Sequence, residues 1–359
     1  MKRYLSISTI AVLTGLIMML AAIPATGQSL EETLNSLSEI AGKEYVRPLV
    51  NGFGANLNSG WFHKAPNASI FGIDLEIGLV AMGAFLKDEN KTFSTTGDFT
   101  FSYDQAYVLA QGTGQTNSTI LDGIADAIAA QTHNVVISGA TAIGAEDNNV
   151  IVSFSGNNVS YGGYTVPDQD VDLGVGGILD DASMIPYAAP QFSIGTVYGT
   201  QATFRYLPDV EINSDIGKIK YFGFGIQHNP KIWFPADFIL PVDLAASFFT
   251  QTLEVGNVFE ATSTAFGINA SKGVSLIGLL GATLYGGLMF ESATMDFAYD
   301  YEILTQAGLQ SNRIEFSVDS ENSTRIVLGV ALNLLGTNLN IDYNIAKYNS
   351  VSAGLFFGF

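Results

Sequence analysis

The sequence predicts an all-β protein: an antiparallel transmembrane β-barrel of about 12 strands, with about 14 as the alternative, and a short N-terminal helical plug. Three observations carry this. Hydrophobic residues make up 47% of the chain and mean hydropathy is positive, yet only 14% of residues are charged, against about 25% in a soluble domain. The apolar residues mostly alternate with polar or small ones rather than forming long runs, which is the pattern of a strand with one face in lipid and one in a lumen. The chain also finishes on such an alternation, Val351, Ala353, Leu355, Phe357 and Phe359.

The elements follow in order. Lys2 and Arg3 precede an apolar stretch from Ile7 to Ala22, and Ala25-Thr26-Gly27 supplies small residues. This is the order of a cleaved export signal over residues 1–27. Its removal leaves 13 cations against 34 carboxylates, a net charge of −21. Such a balance excludes nucleic-acid partners, which need a basic surface. The chain has no Cys, so disulfides and thiol chemistry are excluded. Residues 28–62 read as the plug segment. Leu30, Leu34, Leu37 and Ile40 recur at helical spacing behind Ser29, with Glu32 placed as in a capping box and Gly42 as a stop. A second helical piece covers Tyr45 to Val50. This segment either plugs the barrel or packs beside it.

The barrel is expected over residues 63–359. The first strand alternates Phe71, Ile73, Leu75, Ile77 and Leu79 with Gly72, Asp74, Glu76 and Gly78, and residues 92–103 read as a second. Residues 104–189 are the least strand-like part, long loops with a small helix around Ile120 to Ala130 and a strand candidate over Val150 to Tyr161. Regularity returns after Pro190. Phe192, Ile194, Tyr198, Ala202, Phe204 and Tyr206 read as one strand face, followed by strands near 216–229, 240–254, 258–271, 276–294, 325–334, 339–345 and 351–359. Val274 to Phe290 imitates a membrane helix, but its glycines and alternation argue for a strand. Asn56 to Phe62 is the candidate that makes the count even. Tyr206, Tyr221, Trp233 and Phe234 sit near strand ends, where a headgroup girdle is expected.

Gly52-Phe53-Gly54-Ala55-Asn56-Leu57, Met82-Gly83-Ala84-Phe85, Pro190-Gln191-Phe192-Ser193 and, most specifically, Gly217 to His228 resemble an uncharacterised family of exported Bacteroidota outer-membrane barrels. That family is distantly similar to FadL-like long-chain fatty-acid transporters. The resemblance implies an outer-membrane location and no particular substrate, and the Asn-Pro-Ala pattern associated with those transporters is missing.

No catalytic motif is present, and His63, His133 and His228 stand far apart, so the expectation is no enzyme and no cofactor. Asp168, Asp170 and Asp172 form a weak Ca²⁺ candidate, with Leu173 and Leu179 where the EF-hand pattern wants Gly and Glu. Arg205 and Arg325 fall on polar strand faces with Asp243 and Glu291. They form either a charged constriction or charge pairs bracing the lumen. With Phe249, Tyr285 and Met289 they are the candidates for a solute path. The leading expectation is a passive channel for a small, amphipathic or hydrophobic solute, and the alternative is a non-transporting barrel that acts in structure or surface binding. Expected partners are outer-membrane lipid and the barrel-assembly machinery, which would read the strand ending in Phe359.

Overall fold

The computed structural model describes residues 37 and 39–358, apart from 157–159, 214–216, 236–239, 257–258, 276–279 and 306–307. The export-signal expectation and Phe359 lie outside the described residues. Chain order begins with helix α1 (Glu39–Asn58) and strand β1 (Phe71–Phe85). An inserted unit follows with β2 (Thr92–Phe99), α2 (Tyr103–Gln111), α3 (Ser118–Ala129), β3 (His133–Ala140), β4 (Ile151–Phe154), β5 (Ser160–Tyr161), β6 (Tyr164–Thr165) and β7 (Gln169–Asp172). The barrel resumes with β8 (Met184–Val197), β9 (Thr200–Asn213), β10 (Gly217–His228), β11 (Asp243–Val255), β12 (Phe259–Ser275) and β13 (Leu280–Thr305). It ends with β14 (Gly308–Asp319), β15 (Thr324–Leu334), β16 (Thr337–Ile345) and β17 (Ser350–Gly358).

Ten strands close the ring in the order β12-β11-β10-β9-β8-β1-β17-β16-β15-β13, with β13 returning to β12. The seam between the first and last ring strands is the antiparallel β1–β17 ladder, running from Glu76 opposite Gly358 to Ala84 opposite Ser350. Strand β13 is 26 residues long. Leu280–Phe290 pair with β15, β12 covers its other edge as far as Phe297, and Thr294–Thr305 form a hairpin with β14.

The count of about 12 is therefore corrected to ten, for three local reasons. Asn56 to Asn58 belong to α1 and the residues after them are not a strand. The 92–103 and 150–161 candidates are β2 and β4 of a separate sheet. The single strand expected over 190–206 is two, β8 and β9, joined by Tyr198 and Gly199 at φ +49° and +67°. That is the left-handed two-residue turn a hairpin needs. Residues 308–319 form β14 outside the ring.

Lipid-facing and lumen-facing side chains separate cleanly. Phe192, Phe248, Phe266, Leu288, Ile341 and Leu355 point outward and are exposed. On β12 the outward apolar band is Phe266, Ile268 and Ala270, with Lys272 next on the same face. Above it the outer wall turns acidic, because Glu254, Glu260 and Asp296 stand in direct register on β11, β12 and β13. Hydrocarbon cannot cover three adjacent carboxylates, so the strands there rise clear of the membrane. Trp233, with 72% of its surface exposed, stands at the opposite mouth. Tyr221 departs from the girdle expectation: it points into the lumen, 1% exposed, and donates to Gln251.

The region expected as long loops is a folded α+β unit. A four-stranded antiparallel sheet, β2-β3-β4-β7, packs against α2 and α3. Ser102 caps α2 in a reciprocal box with Gln105, and the Asn117 side chain caps α3. Phe101, Leu109, Ile124, Ile128, Val135 and Phe154 fill its interior. Tyr45 and Val46 of α1 join the same core, and Tyr45 donates to the Gly176 carbonyl at 2.8 Å. Most of the helix expected over 29–42 lies outside the described residues; α1 runs through Gly42, the expected stop, and through the second helical piece at Tyr45 to Val50, and it belongs to the inserted unit as much as to the barrel.

Candidate functional site

The lumen is the candidate site, and the chain's own N-terminal segment occupies it. Helix α1 ends at Asn58, and Gly60 follows at φ +68°, the left-handed position that commonly terminates a helix. From there residues 59–66 run down the barrel axis. Ser59 Oγ meets Ser350 Oγ at 2.7 Å, Ala65 N donates to Ser271 Oγ at 2.9 Å, and Asn229 Nδ2 donates to the Pro66 carbonyl at 2.8 Å. The segment enters from the mouth that carries the inserted unit and leaves at the opposite mouth, where β1 begins.

A helix end leaves its last carbonyls without intrahelical partners. Here the barrel wall supplies the donors. Arg205 Nη1 reaches the Leu57 carbonyl at 3.3 Å and its Nη2 the Ser59 carbonyl at 2.8 Å. Arg325 Nη2 reaches the Asn58 carbonyl from the other side at 2.5 Å. Gln251 Nε2 also donates to the Leu57 carbonyl. Two guanidinium groups thus stand at the negative end of the helix dipole, a favourable place for cations. Both are fully buried.

The two arginines are held differently. Arg325 Nε bonds Glu291 at 2.8 Å and its Nη1 bonds Asn344 at 2.7 Å, so this cation has a carboxylate. Arg205 bonds Gln191 at 2.9 Å and lies 4.1 Å from the Trp61 ring, face on. No carboxylate among the described residues forms an ion pair with it. Asp243, expected with this set, stands apart. It opens β11 eight residues before Gln251, about 27 Å along the strand.

Below the arginines the segment is aromatic. Trp61 stacks on Phe249 at 5.0 Å, and Phe62 meets Phe249 and Tyr285 at 6.2 Å each. Met289 completes this buried cluster. The wall makes room with glycine: a Cβ at Gly223 would fall 2.8 Å from Trp61, and one at Gly287 would fall 2.9 Å from Phe62. Six of the seven expected lumen residues, Arg205, Phe249, Tyr285, Met289, Glu291 and Arg325, therefore converge on the segment. Trp61, Phe62, Gln191 and Gln251 were not singled out from sequence. Their signal was the run of glycines on the polar strand faces, which shows that something bulky fills the lumen without saying what.

The Ca²⁺ candidate is not assembled. Asp168 accepts from Ser155 and from Gly156 N, while Asp172 accepts from Asn149 and from Gly174 N. These bonds occupy Asp168 and Asp172 separately, and no three Asp, Glu or His side chains among the described residues converge as a metal site.

A family model for a family of unknown function, DUF6588, matches residues 1–359. The chain belongs to that family. No curated protein matches this DUF6588 member. Among solved structures it is similar to a loop-deletion mutant of OmpT, an outer-membrane protein of Vibrio cholerae, at 11% identity over 80% of this chain and 99% of that one, TM-score 0.24. It is also similar to the N-terminal β-barrel domain of Pseudomonas aeruginosa OprF, at 15% identity over 45% and 94%, TM-score 0.19. The transport unit of the Escherichia coli autotransporter AIDA-I matches at 7% identity over 88% and 97%, TM-score 0.26.

Proposed function

We propose that this protein is a non-transporting outer-membrane barrel, a closed anchor that presents the α+β unit of residues 86–183 at one membrane face. One observation carries the reading: residues 57–66 fill the lumen and are tied to opposite walls by Arg205 and Arg325. Bacterial outer-membrane barrels carry their longer loops outside and their short turns in the periplasm. The longest connection of this ring is the 86–183 unit, between β1 and β8, so it faces outward. The exposed apolar belt contacts lipid, and the C-terminal strand is the one offered to assembly machinery.

A fatty-acid conduit, suggested by the FadL-like resemblance, asks for an apolar path through the wall or lumen. The inward-facing residues are instead largely Asn, Gln, Ser and Gly. The channel reading keeps one support, an open cavity at the mouth opposite the inserted unit. Two measurements test the anchor. Protease added to intact cells is expected to cleave within residues 86–183, and protection of that unit in cells whose outer membrane is sealed would overturn the orientation. Purified protein in liposomes is expected to pass no small solute, and flux through the wild type would return the channel to first place.

A further inference from the structure

Beside Lys64, at the exit of the threaded segment, the mouth of the barrel is open. A cavity of about 510 Å³ opens at the mouth opposite the inserted unit. That volume lies in the range of small-molecule sites. One wall carries Lys64, Asp74 and Glu76, and the other carries Asn333, Asn338 and Leu334. We propose that this cavity binds a small organic ammonium ion.

The charge decides the sign of the ligand. Lys64 Nζ is shared between Asp74 at 3.2 Å and Glu76 at 2.7 Å, so two carboxylates face one cation. His63 lies behind Glu76, 3.5 Å away, and stacks on Phe356. Lys64, Asp74 and Glu76 together carry one net negative charge at the end of a partly desolvated lumen, where charges interact more strongly than in water. An anion meets two carboxylates there, and a cation meets a surplus of acceptors.

The hydrogen-bond inventory selects the chemistry. Asn338 is 6% exposed, and its Nδ2 is used by Asn333 Oδ1 at 2.6 Å. Its Oδ1 is buried without a partner. One inward position deeper on β16, Asn340 uses its Nδ2 on Tyr285 and leaves its Oδ1 unpaired. Buried amide oxygens of this kind ask for N–H or O–H donors. A primary ammonium supplies three donors and the positive charge together, and Leu280 and Leu334 at the rim offer contact for a short alkyl chain. Lys64 already holds one ammonium between the two carboxylates, so the wall demonstrates the contact the ligand would make.

The test uses full-length protein in detergent, titrated with 1,5-diaminopentane by calorimetry. Saturable binding at one site is expected, with no comparable binding of 1-pentanol or pentanoate. Asp74→Asn and Asn338→Leu are each expected to weaken binding by about tenfold or more. A heat-dependent shift in gel mobility identifies variants that keep the folded barrel, and Asn338→Asp serves where the leucine variant loses it, with tighter binding expected from the added charge. Absence of saturable diamine binding to the folded wild type would overturn the proposal. So would equal binding of pentanol or pentanoate, or undiminished binding in Asp74→Asn. None of these readouts depends on which way the inserted unit faces or on whether solute crosses the barrel, so this proposal and the closed anchor fail separately.

Discussion

Arg205 and Arg325 grip the same helix end from opposite walls, and their removal has different consequences. Arg325→Met leaves Glu291 in the lumen without its cation, and the Glu291 side chain is 0% exposed. Breaking a buried pair on one side costs about 3–5 kcal/mol. The double variant Arg325→Met/Glu291→Gln is expected to recover most of that loss, and a double-mutant cycle in denaturant unfolding checks it. Arg205 has no such partner, so Arg205→Ala has no rescuing second change at a carboxylate. It strands the Ser59 carbonyl, at about 1–3 kcal/mol, while the Leu57 carbonyl keeps its bonds from Gln251 and Trp61. Arg205→Lys is expected to recover only part, because an ammonium lacks the planar fork and the stacking on Trp61. The sequence showed that both arginines face the lumen, since alternation fixes the face. It suggested carboxylate partners, and for Arg325 that is right. For Arg205 the partners are backbone carbonyls from about 150 residues upstream, and backbone groups leave no signature in residue types.

At the scale of elements, the threaded segment and the glycine-lined wall were made to fit each other. Gly223→Leu or Gly287→Leu puts a side chain where Trp61 or Phe62 already sits. Overpacking of this kind costs about 1–3 kcal/mol, read as a lower unfolding midpoint. Seating of the segment is checked more directly with Ser59→Cys/Ser350→Cys, whose parent hydroxyls are 2.7 Å apart. The chain has no other thiol. Oxidation is expected to join the segment to β17 quantitatively, whereas two free thiols in the folded barrel would show that the segment sits elsewhere. The strands most legible in the sequence, β15, β16 and β17, are those with short turns and an unbroken period of two. The β8–β9 hairpin was missed because a two-residue turn keeps the alternation in phase, so that Tyr198 and Gly199 read as two more strand residues. In the inserted sheet β2 and β4 were read as strands but counted with the barrel, and β7, four residues long, is too short to display a period.

Across the whole molecule, charge is distributed very unevenly. No lysine or arginine occurs between Lys91 and Arg205, while 11 carboxylates do. The inserted unit therefore repels itself, and salt screens such repulsion over about 10 Å at 0.1 M. Its thermal midpoint is expected to rise between about 0.01 and 0.3 M salt, and a falling midpoint would show that attractive pairs dominate. The acidic composition was plain from the sequence, but its concentration in one folded unit docked on α1 depended on long-range packing. Threading also imposes an order on biogenesis. The segment ahead of β1 lies inside a ring whose last ladder joins β1 to β17. Zipping of the β1–β17 edges encloses that segment, so closure of the seam is also the step that locks the chain's own plug in place.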